Sequence, residues 1–180
     1  MKRICVFCGS SSGKNPIYTQ QARLLGKALV ESGLELVYGG ASIGLMGEIA
    51  NSVIEAGGVV TGVITQGLLK REIANPEIQD LRIVETMHQR KALMESLSDG
   101  FIAMPGGFGT LDELCEIVTW FQLGIHKKPF ALLNAAGYFD PFVQFIDRGV
   151  GEGFILESHR VRLKVETDPA RILKDFLQMS

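Results

Sequence analysis

Residues 100–110 read GFIAMPGGFGT, an apolar run that ends in a proline and three glycines. The run at 100–104 has the length and apolar character of a buried strand, and a helical pattern follows at 110–123. Three near-adjacent glycines at this junction remove side chains from several consecutive N–H groups, and the helix start adds the positive end of its dipole. The stretch therefore predicts a strand, an anion-binding loop and a helix, in that order.

The same order of strand, loop and helix repeats along the chain. The predicted strands are 3–8, 34–38, 59–64, 81–84, 100–104, 129–133 and 160–165. The predicted helices are 16–32, 44–57, 86–98, 110–123, 138–149 and 169–179, and 65–80 is predicted as a loop or short helix over a site. Because this alternation requires crossover connections, it predicts a parallel sheet with helices on both faces. We expect a single-domain α/β fold of the Rossmann-like, doubly wound type over residues 1–180.

Composition limits the classes of function. The chain has 180 residues, 46% of them hydrophobic, and a formal net charge of -2. It offers no basic surface for a nucleic acid polymer, so any nucleotide ligand is expected to be small. No apolar run reaches the length of a membrane span, and the run before GSSSG is too short for a signal peptide, so we expect a cytoplasmic protein. Cys5 and Cys8 are expected in the core on opposite faces of the first strand.

Two familiar nucleotide motifs are absent. Residues 9–14 read GSSSGK, but a P-loop needs four residues between its glycines and a hydroxyl after the lysine, and Asn15 stands there instead. The first loop also lacks G-x-G-x-x-G, and no acidic residue ends the second strand at Tyr38, which disfavours a nicotinamide dehydrogenase. The second glycine loop, at 39–47, fits either close helix packing or the close approach of a ligand, and both interpretations stay open.

Two charged residues need an explanation. Residues 110–113 read TLDE, a capping box that by itself accounts for Glu113, and a similar box opens an earlier helix at 86–89. Arg90 follows on the buried stripe of that helix, where the dipole opposes a cation, so it requires an anionic partner. Lys91 is either solvated or a second anion contact. At the carboxyl edge of the sheet these two cations, the glycine N–H groups and Glu113 could converge on one pocket.

The chain resembles the LONELY GUY (LOG) family of cytokinin-activating phosphoribohydrolases. The resemblance runs through VFCGSSSG, YGG-x-x-x-GLMG, MHQRKA, PGGFGTLDE and TWFQLGIHKKPFALLN, in that order along most of the chain. It implies a Rossmann-like fold and hydrolysis of the N-glycosidic bond of an adenine nucleotide 5'-monophosphate, N6-prenylated or plain AMP, to free base and ribose 5-phosphate. It also implies a homodimer whose subunits help to build each other's site. No cofactor is expected, and the three histidines have no metal-ligand spacing.

The resemblance also implies roles for individual residues. Its catalytic residues match Glu113 and Arg90. Its substrate contacts match Glu72, Lys91, Gly106, Gly107, Phe108, Gly109, Thr110 and Thr119. A carboxylate can stabilise the oxocarbenium character of a ribosyl cation and orient water, while the arginine binds phosphate or positions the carboxylate.

Departures from the family pattern at Ala41, Lys70 and Asp112 are small, and the first two leave Glu72 the least secure match. The alternatives are a nucleotide- or pterin-cofactor-binding protein of this fold without turnover, and a nicotinamide enzyme. Some relatives carry a lysine decarboxylase label, but no lysine with pyridoxal phosphate partners is identifiable.

Overall fold

The structure, a computed structural model, describes residues 1–69, 74–78 and 80–179. These residues form a seven-stranded sheet in which every pairing is parallel, which confirms the predicted α/β class. The strands are β1 (Arg3–Phe7), β2 (Glu35–Tyr38), β3 (Val60–Thr65), β4 (Asp80–Val84), β5 (Gly100–Ala103), β6 (Phe130–Leu133) and β7 (Leu163–Glu166). The helices are α1 (Ile17–Glu31), α2 (Gly44–Glu55), α3 (Gln66–Leu69), α4 (Met87–Ser96), α5 (Phe108–Gln122), α6 (Asp140–Gly151), α7 (Glu157–Arg160) and α8 (Pro169–Gln178). The extent of the domain, 1–180, stays a prediction.

The order of the strands creates one switch point. Across the sheet the order is β4-β3-β2-β1-β5-β6-β7, so the chain builds outward from β1 to β4 and then returns to the other side of β1. Ligands of doubly wound sheets bind outside the carboxyl ends of the strands where the order reverses, here between β1 and β5. The register pairs Phe7 with Ala103, and the Gly9 N–H donates to the carbonyl of Pro105 at 3.0 Å. The first and third glycine loops therefore leave the sheet side by side.

Two apolar cores cover the faces of the sheet. One packs α1, α2 and α8 against the face that carries Cys8, and the other packs α4, α5 and α6 against the face that carries Cys5. The prediction that these two thiols occupy opposite faces is confirmed. Among the described residues, no helix combines the length and the apolarity needed to cross a bilayer.

Two predicted boundaries are wrong in informative ways. The last strand begins at Leu163 rather than at 160, because residues Glu157–Arg160 form α7 and bond to the Leu156 carbonyl. The alternating pattern at 160–165 suits a strand, but local helical hydrogen bonds take its first residues. Helix α5 begins at Phe108, two residues before the predicted start. In the predicted loop, α3 occupies Gln66–Leu69 and β4 begins at Asp80.

The second glycine loop is shaped mainly by packing. A Cβ on Gly44, whose φ is +59°, would lie 2.3 Å from the backbone carbonyl carbon of Ser10. A Cβ on Gly47 would lie 2.2 Å from the carbonyl oxygen of Ser42. Both glycines let the start of α2 press against neighbouring backbone, which favours the packing interpretation at these two positions.

Candidate active site

A cavity of about 240 Å³ opens at the switch point. Four parts of the chain line it: the end of β1 with its loop, the first turn of α2, the helix α4, and the glycine loop with the first turns of α5. The lining residues are Cys8, Gly9, Ser10, Met46, Arg90, Gly107, Phe108, Gly109, Thr110 and Glu113. The structure thus brings Arg90, Glu113 and most of the predicted glycine loop to one place.

Arg90 is delivered to the cavity by a well-defined helix start. The predicted capping box at 86–89 is present: the Thr86 hydroxyl accepts from the Gln89 N–H at 3.1 Å, and the Gln89 side chain accepts from the Thr86 N–H at 3.1 Å. This box fixes the first turn of α4, and Arg90 follows in the next position. The side chain is buried, with 6% of its surface exposed, as predicted from its place on the apolar stripe.

The Arg90 guanidinium joins three separate elements. Its Nε donates to the Val63 carbonyl of β3 at 2.9 Å, and its Nη2 to the Gly39 carbonyl beyond β2 at 3.4 Å. Its Nη1 donates to Glu113 Oε1 of α5 at 3.1 Å. A Cβ on Gly39 would lie 2.4 Å from Nη2, so the glycine makes room for the guanidinium. The anionic partner that the sequence requires for Arg90 is therefore Glu113.

Glu113 does not act as a cap. The predicted capping box at 110–113 is wrong, because α5 begins at Phe108 with Gly107 as an extended N-cap that has no side-chain hydrogen bond. Thr110 is then the third helical residue and packs on Gly106, where an added Cβ would lie 2.1 Å from its Oγ1. Glu113 lies one turn further on, with 8% of its surface exposed, and its carboxylate reaches Arg90.

The carboxylate of the Arg90–Glu113 pair affects the pKa of the two neighbouring thiols. Arg90 and Glu113 are both buried, and a buried charge persists only when it is paired and hydrogen-bonded. Burial raises the pKa of the Cys8 thiol, and the Glu113 carboxylate raises it further; the same two causes raise the pKa of Cys5. Both thiols therefore stay protonated at neutral pH and are poor nucleophiles. Among the described residues that line the cavity, Glu113 alone carries a carboxylate.

The glycines of the third loop have different neighbours. Gly106 is enclosed, because an added Cβ would meet Thr110 and the Gly9 nitrogen. Gly107 and Gly109 face open space, with no heavy atom within 4 Å of an added Cβ. The first N–H groups of an α-helix have no acceptor inside the helix. A ligand can therefore approach this backbone closely, at the positive end of the dipole of α5.

Two predicted contacts lie outside this cavity, and a third falls outside the described residues. Lys91 Nζ bonds to Asp112 Oδ2 at 3.0 Å and to Glu116 Oε1 at 3.2 Å, outside the cavity. Thr119 is exposed, donates to the Cys115 carbonyl at 2.7 Å, and lines another cavity between α5 and α6. Glu72 lies outside the described residues. Within one chain Lys91 and Thr119 do not line the cavity, and the binding roles of all three residues stay predictions.

A second cavity of about 300 Å³ adjoins the first and was not foreseen from the sequence. Its walls include the loop at 10–13, the rings of Tyr18 and Tyr138, and the glycines Gly106 and Gly107. The serine loop did carry a signal in the sequence, because it directly follows β1. Its failure to match a P-loop hid that signal. Tyr138 carried no local signal, because it approaches the glycine loop only once β6 has paired with β5.

The comparisons with known proteins agree with this geometry. A family model described as "Possible lysine decarboxylase" matches residues 46–176. The cytokinin riboside 5'-monophosphate phosphoribohydrolase LOG of Oryza sativa subsp. japonica is 52% identical over 172 residues, which cover 96% of this chain and 71% of that protein. A cytokinin riboside 5'-monophosphate phosphoribohydrolase of Arabidopsis thaliana is 55% identical over 154 residues, 86% of this chain and 71% of that protein.

Solved structures share the fold at lower identity. The molybdenum cofactor carrier protein of Chlamydomonas reinhardtii superimposes with a TM-score of 0.75 at 22% identity, covering 98% of each chain. The molybdenum cofactor binding protein of Rippkaea orientalis gives a TM-score of 0.73 at 19% identity, covering 99% of this chain and 98% of that one. At these identities the likeness is one of fold.

Proposed function

This chain belongs to the LOG family of cytokinin riboside 5'-monophosphate phosphoribohydrolases, and from that premise we propose which of its residues perform the reaction. The activity is hydrolysis of the N-glycosidic bond of a cytokinin riboside 5'-monophosphate, which releases the free base and ribose 5-phosphate. The observation that carries the assignment of roles is the buried Arg90–Glu113 pair beside the exposed backbone of Gly107 and Gly109.

Glu113 is the catalytic carboxylate in this proposal. When the ribosyl C–N bond breaks, its electron pair leaves with the purine, which takes up a proton, and positive charge develops on the sugar. A fixed carboxylate stabilises that charge and orients a water, whose oxygen bonds to the anomeric carbon and which releases one proton, so that the proton taken up by the purine is balanced. Burial strengthens the effect because little solvent screens the carboxylate.

Arg90 positions the carboxylate. Three of its N–H groups already bond to Val63, Gly39 and Glu113, so the guanidinium is held by β3, by the residue after β2 and by α5. Of the two roles considered from the sequence, orienting Glu113 is favoured over serving as the principal phosphate ligand. The pairing also sets an opposite charge against the Glu113 carboxylate in a buried position.

The 5'-phosphate would bind to the N–H groups at the start of α5. A phosphate suits a helix N-terminus whose glycines leave the backbone open, and binding it there anchors the sugar beside Glu113. The same contacts serve plain AMP, so we include AMP as a substrate. Because prenylated and plain adenine nucleotides share the phosphate and ribose, the loop from Gly107 to Thr110 cannot distinguish them.

Decarboxylation of lysine, the activity in the description of the family model, is not supported by the lysine beside the site. An amine that forms a Schiff base requires a lowered pKa. Partial burial works to lower the pKa of Lys91, but the hydrogen bonds that its ammonium donates to Asp112 and Glu116 outweigh burial, and the pKa is raised. Lys91 is therefore held as an ammonium in an ion-pair cluster.

A homodimer and a cytoplasmic location complete the proposal. Large apolar side chains are exposed on and around α6, among them Phe145 at 70% and Phe154 at 89%. Such a surface is typical of a protein interface. A partner on this surface would bring Thr119, which lies on the neighbouring stretch of α5, near a second subunit. The location rests on composition alone.

The test is release of base from N6-isopentenyl-AMP and from AMP, followed by chromatography at high enzyme concentration. We expect free base and ribose 5-phosphate in equal amounts from at least one of the two nucleotides. Absence of free base from both would exclude the hydrolase and leave a nucleotide- or pterin-binding protein. Hydride transfer from NADH would instead support the nicotinamide enzyme.

A further inference from the structure

Tyr138 lies outside the catalytic pair but touches the glycine loop. It follows β6, and its hydroxyl donates a hydrogen bond to the carbonyl of Gly106. Its ring packs edge-to-face on Tyr18, with centroids 5.8 Å apart, and on Phe139, with centroids 5.1 Å apart. These contacts hold the ring on two sides, so the hydroxyl has a fixed direction.

The turn that carries Tyr138 is built from buried polar contacts. The Asn134 side chain accepts from the Phe139 N–H at 2.7 Å and donates to Asp140 Oδ1 at 2.7 Å. Ala136 has a φ of +52°, the left-handed region that non-glycine residues rarely adopt. Backbone of this kind persists where the surroundings over-determine it, often beside functional sites. The turn therefore serves to place Tyr138 rather than merely to connect two elements.

The hydrogen bond from Tyr138 acts on the peptide group that joins Gly106 and Gly107. Gly106 lines only the cavity that contains Tyr138, whereas Gly107 lies on the border with the cavity that contains Arg90 and Glu113. Because a trans peptide is planar, the Gly106 carbonyl and the Gly107 N–H point in opposite directions. Gly107 has no side chain. Among the described residues, apart from its chain neighbours, no heavy atom lies within 4 Å of the position that an added Cβ would take.

We propose that Tyr138 is a positioning residue whose hydroxyl, by holding the Gly106 carbonyl, keeps the Gly107 N–H directed towards the phosphate of the substrate. Without that bond the 106–107 peptide could turn and present its carbonyl oxygen to an anion, which would repel it. The identity of the anion rests on the proposed function. The argument for the orientation of the 106–107 peptide uses the hydrogen bond from Tyr138 and does not depend on the proposed function.

The experiment compares Tyr138→Phe with the wild type and with Tyr18→Phe. The phenylalanine keeps the ring contacts and removes only the hydroxyl. Tyr18→Phe is the matched control, because it removes a hydroxyl from the same cavity that bonds to none of the described residues. Calorimetry gives the dissociation constants of inorganic phosphate, ribose 5-phosphate and adenine, and steady-state kinetics gives KM and kcat for the nucleotide.

For Tyr138→Phe we expect phosphate and ribose 5-phosphate to bind about fivefold more weakly, the factor of one neutral hydrogen bond. KM for the nucleotide should rise by the same factor, kcat should change less than twofold, and adenine binding should stay the same. The amide resonance of Gly107 should move in the free protein, before any ligand is added. A structural role alone would not separate phosphate from adenine.

Three results would overturn the proposal. They are unchanged phosphate affinity in a folded Tyr138→Phe, an equal loss in Tyr18→Phe, and an equal loss of phosphate and adenine affinity. A wild-type protein that binds no phosphate also rejects it. If the wild type binds phosphate but releases no base, the hydrolase proposal is wrong while the positioning role is still decided by the binding constants.

Discussion

Two neighbouring ion pairs join the same two helices, and their carboxylates differ in exposure to solvent. Arg90 of α4 meets Glu113 of α5 inside the cavity, where both side chains are at most 10% exposed. One residue further along α4, Lys91 meets Asp112, whose side chain is 59% exposed, and Glu116. The two cations are similarly buried, with side chains 7% and 11% exposed, but Arg90 bonds to a buried carboxylate at the sheet edge, whereas Lys91 bonds to Asp112 at the surface and to the partly buried Glu116.

The sharpest way to test the comparison is to neutralise each acid without changing its shape. Glu113→Gln should lower the rate of base release by about a thousandfold, a typical effect for a residue that acts in the transition state, because glutamine lacks the charge. Nucleotide binding should survive. The control Asp112→Asn should keep more than half of the wild-type rate. Similar rates for the two variants would remove Glu113 from the mechanism.

The second test removes each cation. Arg90→Ala removes the guanidinium that pairs with the buried Glu113 carboxylate, and breaking a buried pair in this way costs about 3–5 kcal/mol of unfolding free energy. Denaturant unfolding followed by circular dichroism measures the loss, and base release should fall with it. Lys91→Ala should cost about 1 kcal/mol or less. Equal losses would mean that burial does not distinguish the two pairs.

A similar contrast separates two glycines of the third loop, since one is enclosed by neighbouring atoms and the other faces open space. Gly106→Ala should cost about 1–3 kcal/mol, because its Cβ would overlap Thr110, whereas Gly107→Ala meets no neighbour and should cost less than 1 kcal/mol. Kinetics should show the reverse order. The stable Gly107→Ala should raise KM several-fold, because its methyl group occupies space reserved for phosphate. An unchanged KM would argue against phosphate at this backbone.

The smallest expected effect concerns pH. The pKa of Lys91 is raised in the folded protein, so its pairing contributes stability below the unfolded pKa of about 10.4 and loses it as pH rises through the higher folded value. Lys91→Met should therefore show the same stability difference from wild type throughout pH 6–9. That difference should shrink only in stronger alkali. A difference that varies between pH 6 and 9 would contradict this assignment.

Much of this arrangement follows from local sequence patterns. The alternation of strands and helices predicts the parallel sheet, and the position of Arg90 on an apolar stripe predicts its burial and its need for an anion. The helix start at Phe108 was missed because Gly107 can serve as an extended cap, which leaves Thr110 to pack on Gly106. The direction of Lys91 depends on how α4 meets α5, which no local pattern specifies.

Tyr138 illustrates the same limit. Its contact with Gly106 joins residues 32 positions apart and requires β5 and β6 to pair in one register. Capping and periodicity act within a few residues, so they do not predict which distant residue the Tyr138 hydroxyl contacts. Long-range contacts of single side chains are therefore the part of the site that only the folded chain reveals.

The three-way bond of Arg90 has a consequence for tracing the ancestry of this fold. Since the guanidinium ties β2 and β3 to α5, a descendant that abandons hydrolysis would still be selected to retain the arginine for its stability. A glutamine in place of Glu113 can still accept the bond from Arg90, but it leaves the buried guanidinium without an opposite charge. When distant relatives are sorted into active enzymes and proteins that have lost the activity, an arginine at this position does not separate the two groups. Loss of the carboxylate beside it does.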